Sequence, residues 1–155
     1  MRMHELEVVL KGMRPDYLEV LSGLKHRAGP PSVVRDIGNM LRPDEECLSA
    51  LATSQPFGRG RRARHLAVLT TERILLGAAN GRSGAVLGVA QIALDQVERV
   101  RRWRGLRHSR IALEGTPYPG MSDRRLAKFT RCKPRDARAF VRALREVLKD
   151  RHTRV

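Results

Sequence analysis

His65-Leu66-Ala67-Val68-Leu69-Thr70-Thr71-Glu72-Arg73-Ile74-Leu75-Leu76-Gly77-Ala78-Ala79 holds two apolar runs separated by Thr71-Glu72 alone. Two runs of strand length joined by so short a link predict a tight antiparallel hairpin, His65 to Thr70 and Arg73 to Ala79. Outward from it the same punctuation continues. Glu46 to Ser54 reads as a preceding strand, followed by a basic loop from Gln55 to Arg64 that contains Pro56, Gly58 and Gly60. Downstream, strands are expected at Gly88 to Leu94, Val97 to Trp103, Ser109 to Leu113 and Arg125 to Thr130. Asn80 to Gly84, Arg104 to Arg107 and Gly115 to Asp123 serve as the turns and loops between them.

Both ends of the chain change period. Ala137, Phe140, Val141, Leu144, Val147 and Leu148 fall on one stripe of a helix from Pro134 to about Lys149. At the other end, Leu6, Val9 and Leu10 predict a helix over Met3 to Lys11. Leu18, Leu21 and Leu24 predict a second over Asp16 to Lys25, with Pro15 suited to its start. After the break at Gly29-Pro30-Pro31, Ser32 is expected to cap a third helix, Val33 to Leu41.

Charge divides the chain unevenly. Of 155 residues, 31 are Lys or Arg and 16 are Asp or Glu, for a net charge of +15. Residues 1–55 carry seven basic and eight acidic residues, so residues 56–155 hold a net +16. An asymmetry of this kind points to an anionic partner. Arg outnumbers Lys by 26 to 5, as a GC-rich genome would produce, but codon content does not account for missing acids. No apolar stretch approaches the roughly 20 residues of a membrane span. Met1-Arg2-Met3-His4-Glu5 lacks the apolar core of a secretory signal, so a cytoplasmic protein is expected. Cys47 and Cys132 are too few for a disulfide framework and are expected as reduced, small core residues.

Seven short strands followed by one amphipathic helix resemble the pleckstrin-homology-like barrel. The residues extend the resemblance to its bacterial families. Leu41-Arg42-Pro43-Asp44-Glu45-Glu46 is similar to their leucine, proline, glycine, glutamate entry, with Asp44 where glycine is usual. Ala67 to Leu76 is similar to their hairpin, in which leucine and threonine precede an aspartate or asparagine, any residue, then arginine and isoleucine or leucine. Ile92 to Val97, Phe129, and Phe140 to Leu148 resemble the next strand, the last strand and the helix. The resemblance spans Leu41 to Leu148. It implies an α+β fold: a seven-stranded antiparallel barrel or sandwich over residues 43–155, capped by a C-terminal helix and preceded by a helical segment over residues 1–42.

Three basic groups are candidates for binding a polyanion. In membrane-binding pleckstrin domains the loop between the first two strands holds phosphate, and the resemblance places Arg59, Arg61, Arg62 and Arg64 there, with glycines that admit close backbone approach. The stretch from Arg99 to Arg110 has six arginines and no acid; Arg101, Arg102, Arg104 and Arg107 are its candidates. Trp103 within it either caps the barrel core or stacks on a base or a lipid headgroup. Arg138, Arg142, Arg145 and Lys149 form a basic ridge about 16 Å long on the C-terminal helix.

Catalytic signatures are missing from the sequence. His4, His26, His65, His108 and His152 are scattered, and no pair has metal-ligand spacing. Gly77 to Gly88 has neither the P-loop Lys-Ser/Thr nor a GxGxxG order, and no serine sits in a nucleophile elbow. The expectation is a non-catalytic binding module without cofactor or metal. Nucleic acid, RNA or the ribosome ahead of DNA, is the favoured partner, gripped through phosphates; an acidic protein or an anionic lipid surface is the alternative. Homo-oligomers through the apolar N-terminal stripes are a further expectation.

Overall fold

The computed structural model describes residues 12–24, 28–56, 62–81, 83–116 and 124–153. Two helices, α1 (Pro15–Ser22) and α2 (Pro31–Met40), precede the strands β1 (Cys47–Pro56), β2 (Arg62–Thr70), β3 (Arg73–Asn80), β4 (Val86–Ala93), β5 (Val97–Arg104), β6 (Ser109–Gly115) and β7 (Arg125–Cys132). A 3₁₀ turn, Leu94–Gln96, joins β4 to β5, and a long helix α3 (Pro134–Thr153) ends the described chain. β1 to β4 make one antiparallel sheet in chain order, and β5 to β7 make the other. The expected strands and C-terminal helix are all present, with ends shifted by a few residues. The expected helix over Met3 to Lys11 lies outside the described residues.

Alternation on the central hairpin explains its continuous apolarity. Ala67 and Leu69 point between the sheets, where they join Ile74, Ile111, Leu113, Phe129, Phe140 and Leu144 in the main core. Phe129 and Phe140 meet edge to face at 6.4 Å. Leu66 and Val68 point the other way, into a second core with Leu75 and with Tyr17, Leu21, Val34 and Ile37 of α1 and α2. β2 and β3 are thus buried on both faces, as a strand without polar alternation requires. The α1 and α2 stripes that invited self-association are occupied by the sheet of the same chain.

Two details fix how the helices sit. Ser32 does not cap α2: Pro30 is the N-cap and makes no side-chain cap, because the Pro30-Pro31 pair presets the first helical turn. Ser32 instead donates its hydroxyl to the Gly84 carbonyl at 3.2 Å, tying α2 to the β3–β4 loop. Gly77 on β3 lets α2 approach, since a Cβ there would lie 2.7 Å from Val33 Cγ1 and 3.0 Å from Ile37 Cδ1. Gly77→Leu is expected to destabilise the fold by about 1–3 kcal/mol through overpacking. Urea denaturation checks this, and an unchanged midpoint would show that α2 is not seated on β3.

The two stretches that carry the family resemblance are the halves of one buried polar knot. Glu45 (2% exposed) and Arg73 (6%) pair at 2.8 Å between Oε1 and Nη2, with Arg73 Nε 3.2 Å from Oε2. The Thr70 hydroxyl donates to Glu45 Oε2 at 2.8 Å, and the Arg42 N–H donates to Oε1 at 2.8 Å. Arg73 also donates to the Met40 carbonyl at the end of α2 and to Gln91 on β4. Beside the knot, Asp16 pairs with Arg14 at 2.8 Å and accepts the Cys47 N–H at 2.8 Å, fastening α1 to the start of β1.

α3 runs alongside β5 in the opposite direction. Near its start Arg138 approaches Arg102, Arg145 donates to the Val100 carbonyl at 3.3 Å, and near its end Arg151 pairs with Asp95 at 2.6 Å and Glu72 at 3.2 Å. The helix therefore covers the outer edge of β5 and closes that side of the sandwich.

Candidate anion-binding surface

β5 carries arginine on both faces, and its register decides where each points. Trp103 lies opposite Arg110 on β6, Arg102 opposite the buried Ile111, and Arg104 opposite the buried Ser109. Antiparallel partners share a face. Val100, Arg102 and Arg104 therefore lie on the core side, where the apolar strand face runs out into charge beside α3. Arg99, Arg101 and Trp103 lie on the outer side.

On the core side, Arg102 is half-buried and its pKa is lowered, first by burial and then by the charges of Arg104, Arg138 and Arg145. Arg102 is thus close enough to Arg104 on its own strand and to Arg138 and Arg145 on α3 to be repelled by each. Among the described residues, none of Arg102, Arg104, Arg138 and Arg142 forms an ion pair with a carboxylate. Four acids of the neighbouring strands and loops pair with other arginines: Glu114 with Arg101 at 3.6 Å, Glu98 with Arg124, and Asp95 and Glu72 with Arg151. Arg142 and Lys149 are exposed and continue the same ridge of α3. Unpaired, mutually repelling cations are relieved by a bound anion, and guanidinium forks match phosphate oxygens bidentately.

At the tip between β5 and β6, Arg104-Gly105-Leu106-Arg107-His108 is exposed throughout. The turn depends on Gly105, because a Cβ there would lie 2.3 Å from the His108 carbonyl oxygen. Leu106 stands fully in solvent between the basic residues. In the sequence it falls among turn residues between two strands. The available signal was a large apolar side chain in a stretch otherwise made of Arg, Gly and His.

Trp103 belongs to neither apolar core, so of its two expected placements the cap on the barrel core is not the one observed. Its partner across the ladder is Arg110, so it emerges on the outer face, half-exposed. The Arg101 guanidinium lies 4.9 Å from its ring centroid and that of Arg110 lies 5.9 Å away. Cation–π contacts of this kind hold the two arginines in place.

Of the first-loop group, Arg64 is the residue whose side chain is placed. Arg59 and Arg61 lie outside the described residues, and Arg62 opens β2. Arg64 is exposed and pairs in register with Ala79, which belongs to the α1–α2 core. Arg64 therefore leaves the four-stranded sheet on its helix-covered face, opposite the face that meets the second sheet. The fold gathers the β5–β6 and α3 arginines into one surface and leaves Arg64 off it.

The cysteine environments are inert. Burial, then the charge of Asp16, pushes the Cys47 thiol up to about 12, and burial pushes Cys132 up to about 11. Both stay protonated near neutrality, which removes the thiolate that nucleophilic chemistry needs. Among the described residues no group of three or more His, Cys, Asp or Glu side chains is placed to hold a metal ion.

No family model and no curated protein sequence matches the chain. Among solved structures, the N-terminal PH domain of Vps36 is similar with a TM-score of 0.50 at 20% identity, covering 74% of this chain and 86% of that one. The hSac2 domain of the human phosphoinositide phosphatase Sac2 aligns with a TM-score of 0.49 at 14% identity, covering 87% of this chain and 82% of that one. The strand order, the two antiparallel sheets, the closing helix and the Vps36 likeness together make the fold pleckstrin-homology-like.

Proposed function

We propose that this pleckstrin-homology-like chain is a cytoplasmic, non-catalytic binding module that docks on a phosphate-bearing anionic surface through β5, the β5–β6 hairpin and α3. The convergence of Arg102, Arg104, Arg138 and Arg145 without a paired acid supports the reading most directly. Two features favour a membrane carrying anionic lipid over nucleic acid. Leu106 extends bare from a basic tip, suited to entering the headgroup region while the arginines hold phosphates. Trp103, the aromatic that base stacking would use, already carries guanidinium groups against its ring. RNA or ribosomal phosphates would engage the same cations without needing Leu106.

Co-sedimentation with vesicles separates the two. Vesicles with about one third phosphatidylserine should pellet the protein and neutral vesicles should not, because each Lys or Arg near such a surface contributes about 1 kcal/mol. Leu106→Ser should weaken vesicle binding about tenfold, in line with burying about 1.5 kcal/mol of apolar side chain, and leave binding to an RNA duplex unchanged. Binding to RNA alone, or vesicle binding indifferent to Leu106, would refute the lipid reading.

A further inference from the structure

Two sheets have four outer edges, and three of them are guarded. At β1, the Cys47 N–H is taken by Asp16, and the Thr53 hydroxyl donates to the Thr130 carbonyl of β7, so those two strands close on each other. β7 also carries Arg125, Lys128 and Arg131. β5 is charged along its length and covered by α3, with Arg145 on its Val100 carbonyl. Covers and charges of this kind stop one sheet from adding to another.

β4 has none of these devices. Among the described residues it is hydrogen-bonded to β3 alone. Ser83 to Leu94 contains no charged residue and no proline, in a chain of net charge +15. Along β4 only Ile92 is buried, while Val86, Leu87 and Val89 are 37%, 43% and 39% exposed. Beside the strand lies a groove of about 310 Å³ with Leu76, Ala78 and Leu87 in its lining. The result is an uncovered strand edge with a continuous apolar flank.

We propose that this edge pairs antiparallel with β4 of a second copy, joining two four-stranded sheets into one across a two-fold axis. Charge selects the occupant. An acidic partner finds its cations on β5 and α3 and none on β4, whereas an uncharged apolar edge is matched by an uncharged apolar strand. β4 is such a strand, and two-fold pairing satisfies the free N–H and C=O groups of both copies at once. Within residues 56–155, which carry a net +16, β4 is a charge-free strip along which two copies approach without bringing like charges together.

Sedimentation of the full chain tests this at about 100 μM protein and about 0.5 M salt. The Debye length there is near 4 Å and repulsion between the basic faces is screened. The wild type should sediment as a dimer, dissociating as salt is lowered. The double variant Leu87→Lys/Val89→Lys changes two exposed side chains and should sediment as a folded monomer, with circular dichroism unchanged. Leu106→Lys, at a still more exposed leucine in the β5–β6 turn, should remain dimeric. Independently, Ala90→Cys near the strand centre should form a disulfide-linked dimer under mild oxidant, the native cysteines being buried. A wild-type monomer under these conditions, a dimer that survives the β4 lysines, or Ala90→Cys remaining uncrosslinked would each overturn the proposal.

Discussion

Arg73→Met should cost about 3–5 kcal/mol of stability, because it leaves Glu45 as an uncompensated charge inside the protein. Total stabilities of small domains are about 5–15 kcal/mol, so this one substitution takes much of the margin. Glu45 loses its two-point contact with the guanidinium and keeps only the Thr70 hydroxyl and the Arg42 N–H. The Met40 carbonyl and Gln91 lose their donor in the same step, so α2, the β2–β3 hairpin and β4 loosen together. Urea denaturation measures the loss. Replacing both members, Glu45→Met with Arg73→Met, should be less damaging than Arg73→Met alone, since no lone charge then remains buried. An Arg73→Met midpoint within error of wild type would contradict the account of the knot.

The same pair sets an acid limb. Burial pushes the Glu45 carboxyl up, but hydrogen bonds from Arg73, the Arg42 N–H and Thr70, with the Arg73 charge, outweigh burial and hold it below the ordinary value of 4.5. The unfolded chain therefore takes up this proton at a higher pH than the folded one. The stabilisation is present above about pH 4.5 and drains away as pH falls through the lower folded value. Glu45→Gln should flatten that part of the pH–stability curve while lowering stability near neutrality.

Arg102→Glu with Arg138→Glu should abolish docking on anionic vesicles while the domain stays folded. Each reversal changes the local charge by two units. At about 1 kcal/mol per unit near an anionic surface, the pair is worth about 4 kcal/mol, or roughly a thousandfold in affinity. Neither residue is in an apolar core, and Arg138 is exposed. Their present neighbours are like charges, so the substitution relieves repulsion inside the protein. Arg64→Glu is the matched control, and its effect should be several-fold at most, because Arg64 leaves the sheet on its helix-covered face. Equal losses from both would place the binding surface on the first hairpin instead.

Periodicity made most of the fold legible. A two-residue link between apolar runs located the β2–β3 hairpin, and a clean six-residue stripe located α3. The packing of α1 and α2 was not read from the sequence, although Leu66 to Leu69 does not alternate as a half-exposed strand would. The continuous run marks a strand buried on both faces, and α1 and α2 supply the second cover. The role of Arg73 was hidden. Counted as one more positive charge, it is a buried structural group whose partner lies 28 residues earlier in the chain.

The binding surface was half legible for a similar reason. Spacing on α3 showed a ridge of basic residues, and composition showed a basic β5–β6 hairpin, but neither reveals that Arg145 reaches back 45 residues to β5. Arg64 looked equivalent to its neighbours in a basic loop until strand register sent it to the other face. For Trp103, burial and exposure both fitted the local sequence, and its position across from Arg110 settled the choice. The bare edge of β4 escaped notice because an uncharged apolar strand reads as core until the sheet order places it outermost.

Hydrogen–deuterium exchange of the full chain with and without anionic vesicles tests the central claim most directly. Peptides covering Arg99 to Arg110 and Arg138 to Lys149 should gain protection together, while those around Arg64 stay unchanged. Protection confined to the β1–β2 hairpin, or none on β5 and α3 under conditions where the protein pellets with vesicles, would contradict it.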